Sequence, residues 1–154
     1  MAKTWIALVL LVIPLVTVAG TDQMEVIAAM QTAEEVTYRE GGFAVLVASG
    51  MLPRTAAPDA ALNPGLRSRL GWDSRPVDSP LTVAEFSYLV MKAFDIPGGL
   101  MYRLAPSPRY AVRELRFRRV LLDRVDATDD IAGVQALRMI GNAIEWSEWT
   151  EDRS

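Results

Sequence analysis

The chain has no histidine and no cysteine. That removes the commonest general base and transition-metal ligand, along with any disulfide or thiolate metal site. Carboxylates and arginines are left to do chemistry. A glycan hydrolase needs two carboxylates facing each other across a cleft at defined separation. Glu34, Glu35 and Glu85 are each explained as cap or first-turn residues, where negative charge stabilises a helix start. Asp126, Asp129 and Asp130 offer oxygen ligands for a hard cation, but the spacing lacks the glycine and terminal glutamate of an EF loop. The carboxylates therefore read as structural. No catalytic residue, metal ligand or cofactor is expected.

The arginines are more pointed. From Arg103 to Arg124 there are seven, against Glu114 and Asp123, a local balance of +5 in a chain of net charge −3. Arg109, Arg113 and Arg116 recur at i, i+4, i+7, one face of a helix, with Arg119 just beyond. Arginine with no lysine in the stretch suits bidentate capture of carboxylate or phosphate. Arg109, Arg113, Arg116 and Arg119 are the candidate partner-binding residues. The alternative is a solvated face pairing with Glu114, Asp123 and the acidic C-terminal tail. Trp149 in that tail is a candidate exposed anchor for a partner.

Where such a face would work is suggested by the N-terminus. Lys3, the apolar run Trp5 to Val16 and the small residues Val18-Ala19-Gly20 have the order of a secretory signal peptide over 1–20. The run contains Pro14 and is shorter than the roughly 20 residues of a spanning helix, so cleavage is expected rather than a stable membrane span. Losing Lys3 takes the charge from −3 to −4. A mildly acidic protein is a poor candidate for bulk nucleic-acid binding.

The elements that must position the arginines follow from caps and periodicity. Thr82 and Glu85 have capping-box spacing, with Leu81 and Phe86 placed as a hydrophobic staple. Val83, Phe86, Leu89, Val90, Ala93 and Phe94 then give one apolar helical face, stopped by Ile96-Pro97-Gly98-Gly99. Upstream, 22–49 is helical in pattern. Thr32-Ala33-Glu34-Glu35 is a second capping-box candidate, and Gly50 is the C-terminal glycine. Gly41-Gly42 implies either a helix break or the close approach of another backbone. Residues 54–80, rich in proline, read as a long loop that Leu66, Leu70 and Trp72 tack onto the body.

Ser107-Pro108 opens a helix with Tyr110, Ala111, Leu115, Phe117, Leu121 and Leu122 directed inward. A last helix is expected from about Ile131 to Trp146, and 148–154 as a fraying acidic tail. Leu81-Thr82-Val83-Ala84-Glu85 aligns with Ile131-Ala132-Gly133-Val134-Gln135, an internal repeat. The expected fold is all-α: four main helices as two stacked helix-loop-helix units, one domain over 21–147.

Ala48-Ser49-Gly50-Met51-Leu52, a loop, and Leu81-Thr82-Val83-Ala84-Glu85-Phe86 together resemble an S-layer homology unit. In that family a helix ends in a Gly-aliphatic phrase and the next begins with a Thr-Arg-Ala-Glu-like phrase. The resemblance spans Glu34 to Phe94 and, more faintly, Arg113 to Ile144. It implies a helical module and attachment to cell-wall glycan. The family's polysaccharide-holding arginine is Val83 here, and its aromatic-x-Asp opening is absent. Lys92 to Tyr102, continued by Pro108 to Leu115, is similar to a segment of small exported spirochaetal proteins, which implies a periplasmic or outer-envelope location. The expectation is thus a non-enzymatic exported module that binds an envelope protein or anionic envelope polymer. S-layer-like glycan attachment and cell-wall hydrolysis stand as alternatives.

Overall fold

The computed structural model describes residues 21–152, so the leader expected over 1–20 lies outside the described residues. All regular structure among them is helical. Seven α-helices are present where the sequence pattern suggests four main ones: α1 (Thr21–Thr32), α2 (Tyr38–Ala48), α3 (Pro64–Leu70), α4 (Val83–Ala93), α5 (Leu100–Leu104), α6 (Pro108–Phe117) and α7 (Gly133–Glu151). A 3-10 turn, Pro58–Leu62, precedes α3.

α4 forms as its cap dictates. Thr82 Oγ1 accepts from the Glu85 amide at 3.2 Å, and Glu85 Oε2 accepts from the Thr82 amide at 3.1 Å. Leu81 and Phe86 are both buried. The helix ends on Asp95 at φ 48°, a left-handed stop made by an aspartate rather than by the glycines that follow.

The second capping box lies elsewhere than expected. Thr32 ends α1, and Glu34 and Glu35 are exposed in the link to α2. The box that forms is Thr37 with Glu40, at the start of α2. Both pairs have the T-x-x-E spacing. Long-range bonding selects between them, because the Val36 amide and carbonyl are both held by distant segments.

That hold is a closed ring of three backbone hydrogen bonds. The Val36 amide donates to the Ile131 carbonyl at 3.0 Å, Ile131 to Leu81 at 2.8 Å, and Leu81 to Val36 at 2.8 Å. All three side chains are buried. Each residue immediately precedes the N-cap of a helix: Thr37 for α2, Thr82 for α4 and Ala132 for α7. The repeat therefore has three copies, the further one being Val36-Thr37-x-x-Glu40.

The ring also satisfies helix starts. The first amides of a helix have no partner within it. Tyr38 donates to Ser79 at 3.1 Å, Val83 to Asp129 at 2.8 Å, and Gly133 to Ala33 at 3.0 Å. Each core helix is thus capped by the segment leading into another.

From this hub α2, α4 and α7 run in mutual contact as the core. Each has an outer companion: the 3-10 turn packs on α2, α6 on α4, and α1 on α7. The arrangement is three helix pairs around a common centre, in place of two stacked hairpins. α1, first in the chain, completes the pair built on the last helix.

The helix runs unbroken through the paired glycines of α2, and what approaches them closely is side chains, not another backbone. A Cβ on Gly41 would stand 2.7 Å from Leu81 Cδ1, and one on Gly42 2.8 Å from the Trp72 ring. Gly50 is left-handed at φ 75°, as its place after α2 suggests. The 54–80 segment is well packed: Ala61, Leu70 and Trp72 are buried, and Arg39 clips it down through Asp59 at 2.6 Å and Asp78 at 2.9 Å.

Candidate functional site

α6 buries Ala111, Val112 and Leu115 against α4 and turns its other side to solvent. Arg109, Arg113 and Arg116 are all exposed on that outer side. None of them, nor Arg119, lies within ion-pair distance of a carboxylate among the described residues. The expected internal partners are otherwise engaged or out of reach. Asp123 pairs with Arg138 at 2.9 Å, and the acidic stretch from Glu148 is helical as part of α7 to Glu151. Arg116 does donate to the Val125 carbonyl, which anchors one of its nitrogens.

Helix α6 stops sooner than the apolar pattern suggests. The Val120 amide donates to Leu115 at 2.9 Å and the Arg119 amide to Arg116 at 3.1 Å, the paired bonds of a Schellman stop. The left-handed residue at this stop is Arg119, with φ 61°, where glycine is usual. Two side-chain expectations are corrected here. Leu121 is buried, but Phe117 and Leu122, expected to point inward, are 83% and 59% exposed. Phe117 lies on the outer side of α6 with Arg113, four residues before it, and the turn at Arg119 places Leu122 outside as well.

Arg118 has a structural role. Its guanidinium lies 5.3 Å from the centre of the Trp146 ring and donates to the Pro97 carbonyl, tying the stop of α4 to α7. Asn142 Nδ2 donates to the Val120 carbonyl at 2.9 Å and fixes the turn from the other side. Phe117, Arg118, Arg119, Leu122, Glu145, Trp146 and Trp149 surround an open hollow of about 830 Å³. Three of the four arginines singled out by spacing thus share one helix face, and Arg119 sits at its C-terminal edge.

A second concavity was not legible in the sequence. Between the α2 and α4 pairs, Tyr38, Trp72, Arg75, Glu85, Tyr88 and Pro108 line a groove of about 210 Å³. Tyr38 stacks on Trp72 with ring centres 5.3 Å apart. Glu85, half of the α4 capping box, also holds Arg75 at 2.6 Å. The Trp72 indole nitrogen is buried without a hydrogen-bond partner among the described residues. Burial, and then the neighbouring Glu85 charge, hold the Tyr38 hydroxyl well above the usual phenol range. The sole hint in the sequence was a tryptophan in a proline-rich segment.

A third cleft, of about 760 Å³, opens where α2, α4 and α7 end, with an apolar floor including Ile27, Val47, Phe94 and Ile140. Asp126, considered above for a cation, accepts from the Thr128 amide at 2.9 Å and its hydroxyl at 2.8 Å, closing a local turn. Those bonds hold its carboxyl below the usual range. Among the described residues no three acidic groups gather in a metal-binding cluster. No helix among them is long and apolar enough to cross a membrane.

None of the protein-family models, curated proteins or solved structures compared with the chain matches it. The functional reading therefore rests on the geometry of these surfaces.

Proposed function

We propose that the protein is a non-enzymatic, exported module that binds another component of the cell envelope through the outer face of α6. The observation that carries this reading is the set Arg109, Arg113 and Arg116, exposed together on one face with no carboxylate partner among the described residues. Guanidinium groups aligned in this way, with Arg116 anchored through one nitrogen on the Val125 carbonyl, are complementary to phosphate or carboxylate groups on a partner. Export rests on the leader-like pattern of 1–20, and the partner is an envelope protein or anionic envelope polymer. Glu85 is tied to Thr82 and Arg75, and Glu34 is exposed in a link, so neither favours a hydrolase. The test is a pull-down from envelope extract with Arg109, Arg113 and Arg116 changed together to Gln. Loss of a captured component with the fold retained is the expected result. An unchanged partner profile overturns it.

A second reading is favoured by a separate observation. Three helix pairs, two of them entered through a Thr-x-x-Glu cap phrase of the kind found in S-layer homology units and the third through Ala132, which makes no side-chain cap, support glycan attachment by analogy of architecture, which alone does not fix function. The Tyr38–Trp72–Arg75–Glu85 groove offers aromatic faces and a charged pair suited to a sugar. The first helical residues are Tyr38, Val83 and Gly133, so the family's arginine is missing from all three copies. Salt-resistant binding to purified sacculi, lost in Arg75→Gln, supports this second reading. No binding to sacculi removes it.

A further inference from the structure

The outer face of α6 carries apolar groups as well as charge. Phe117, four residues after Arg113 and so on the same stripe of the helix, is 83% exposed. Leu122 and Trp149 stand with it around the open hollow, 59% and 57% exposed. The left-handed turn at Arg119 ends the helix just after Phe117, so that Leu122 reaches solvent near it while Leu121 is buried. The result is a basic helix face running into a cluster of protruding apolar side chains.

Such a surface differs from a groove cut for a peptide. The hollow is shallow and open, and its apolar groups are separate projections. An aromatic and aliphatic tip flanked by arginines matches the layering of a bilayer surface, with phosphates outside and acyl chains beneath. Among the acidic groups nearby, Asp123 is held by Arg138, Glu114 lies beside Gly99 on the flank of α6, Asp126 is held by Thr128 and feels the Arg116 charge, Glu145 lines the hollow, and Glu148, next to Trp149, lines the cleft on the other side of α7.

We infer that this face docks on an anionic lipid surface, with Arg113, Arg116 and Arg119 on headgroup phosphates and Phe117, Leu122 and Trp149 in the interfacial layer. The inference rests on the arginine-face reading above and puts anionic envelope lipid in the partner's place. Both ingredients are needed, because basic residues near the surface add attraction to anionic lipid and the apolar tips add burial.

The experiment is co-sedimentation of residues 21–154, which hold the whole described core, with vesicles of phosphatidylcholine alone or mixed with phosphatidylglycerol. Expected is binding to the mixed vesicles and not to the neutral ones. Phe117→Ser should weaken it about tenfold, and joint Arg113→Gln, Arg116→Gln and Arg119→Gln should abolish it. These side chains are exposed, and unchanged circular dichroism confirms that each variant folds. Binding that Phe117→Ser leaves intact, or that inorganic phosphate at matched ionic strength removes selectively, overturns docking in favour of a phosphate site alone. No binding to mixed vesicles also overturns it. If the envelope pull-down still depends on the arginines, a protein or glycan partner replaces the lipid and the wider reading stands. If it does not, both fall.

Discussion

The six-membered ring of Trp72 lies directly over Gly42, where a Cβ would stand 2.8 Å from Cη2 and 2.9 Å from Cζ2. One helix glycine thus admits the tryptophan that closes the 54–80 segment onto the core. Trp72 is held in place by Tyr38 stacked on one side and the Arg67 guanidinium 5.4 Å from its ring centre.

Because the ring is wedged, Gly42→Ala should not behave as a helix-stabilising change. The gain in helix propensity is about 1 kcal/mol, whereas overpacking a rigid ring costs about 1–3 kcal/mol. A net fall in the urea midpoint with loss of the buried-tryptophan fluorescence signal is expected. A raised midpoint would mean that the ring relaxes freely.

Two glycines of α7 should respond oppositely to alanine. At Gly133 a Cβ would fall 1.7 Å from the Met30 carbonyl oxygen, so α1 must move away from α7. At exposed Gly141 nothing lies within 4 Å. Gly141→Ala should add roughly 1 kcal/mol from propensity alone. Gly133→Ala should lower stability and speed proteolysis within α1. Thermal melts and limited digestion of the two variants side by side check this.

Arg119→Gly should stabilise the fold while harming the proposed binding. A left-handed non-glycine residue costs about 1–2 kcal/mol, and Arg119 sits at φ 61°. Relief of that cost raises the melting temperature, and loss of the guanidinium weakens capture of the envelope component. Improved stability with undiminished binding would place Arg119 outside the site.

Stability should decline above pH 10. Burial, followed by the nearby Tyr88 and Glu114, pushes the Tyr102 hydroxyl from 10.0 up to about 12, and Tyr38 is raised further from the same 10.0. Both folded values exceed the unfolded one. The stabilisation is therefore fully present below pH 10 and is lost as pH rises through the folded values, because the unfolded chain ionises first. The slope approaches about 1.4 kcal/mol per pH unit per tyrosine. Chemical denaturation at pH 9 to 12 measures it, and Tyr102→Phe should flatten the profile.

What the sequence determined by itself was set by contacts a few residues apart. The Thr82–Glu85 box, the Gly50 stop, the all-helical character and the Arg109–Arg113–Arg116 stripe are of this kind, since one helical turn brings their groups together. The tertiary structure decided the rest. Thr32–Glu35 and Thr37–Glu40 are equal as patterns, and the second becomes the cap because the amide and carbonyl of Val36 are claimed by Ile131 and Leu81. That ring joins residues far apart along the chain, so no local periodicity could reveal a third repeat or the threefold grouping. Phe117 lies two residues past buried Leu115 and four past exposed Arg113, so the helix itself puts its ring in solvent, and the left-handed Arg119 then turns the chain so that Leu122 is exposed beside it. The arginine stripe was legible because it is local. Leu122 and Trp149 were not, because a turn and a second helix bring them beside it.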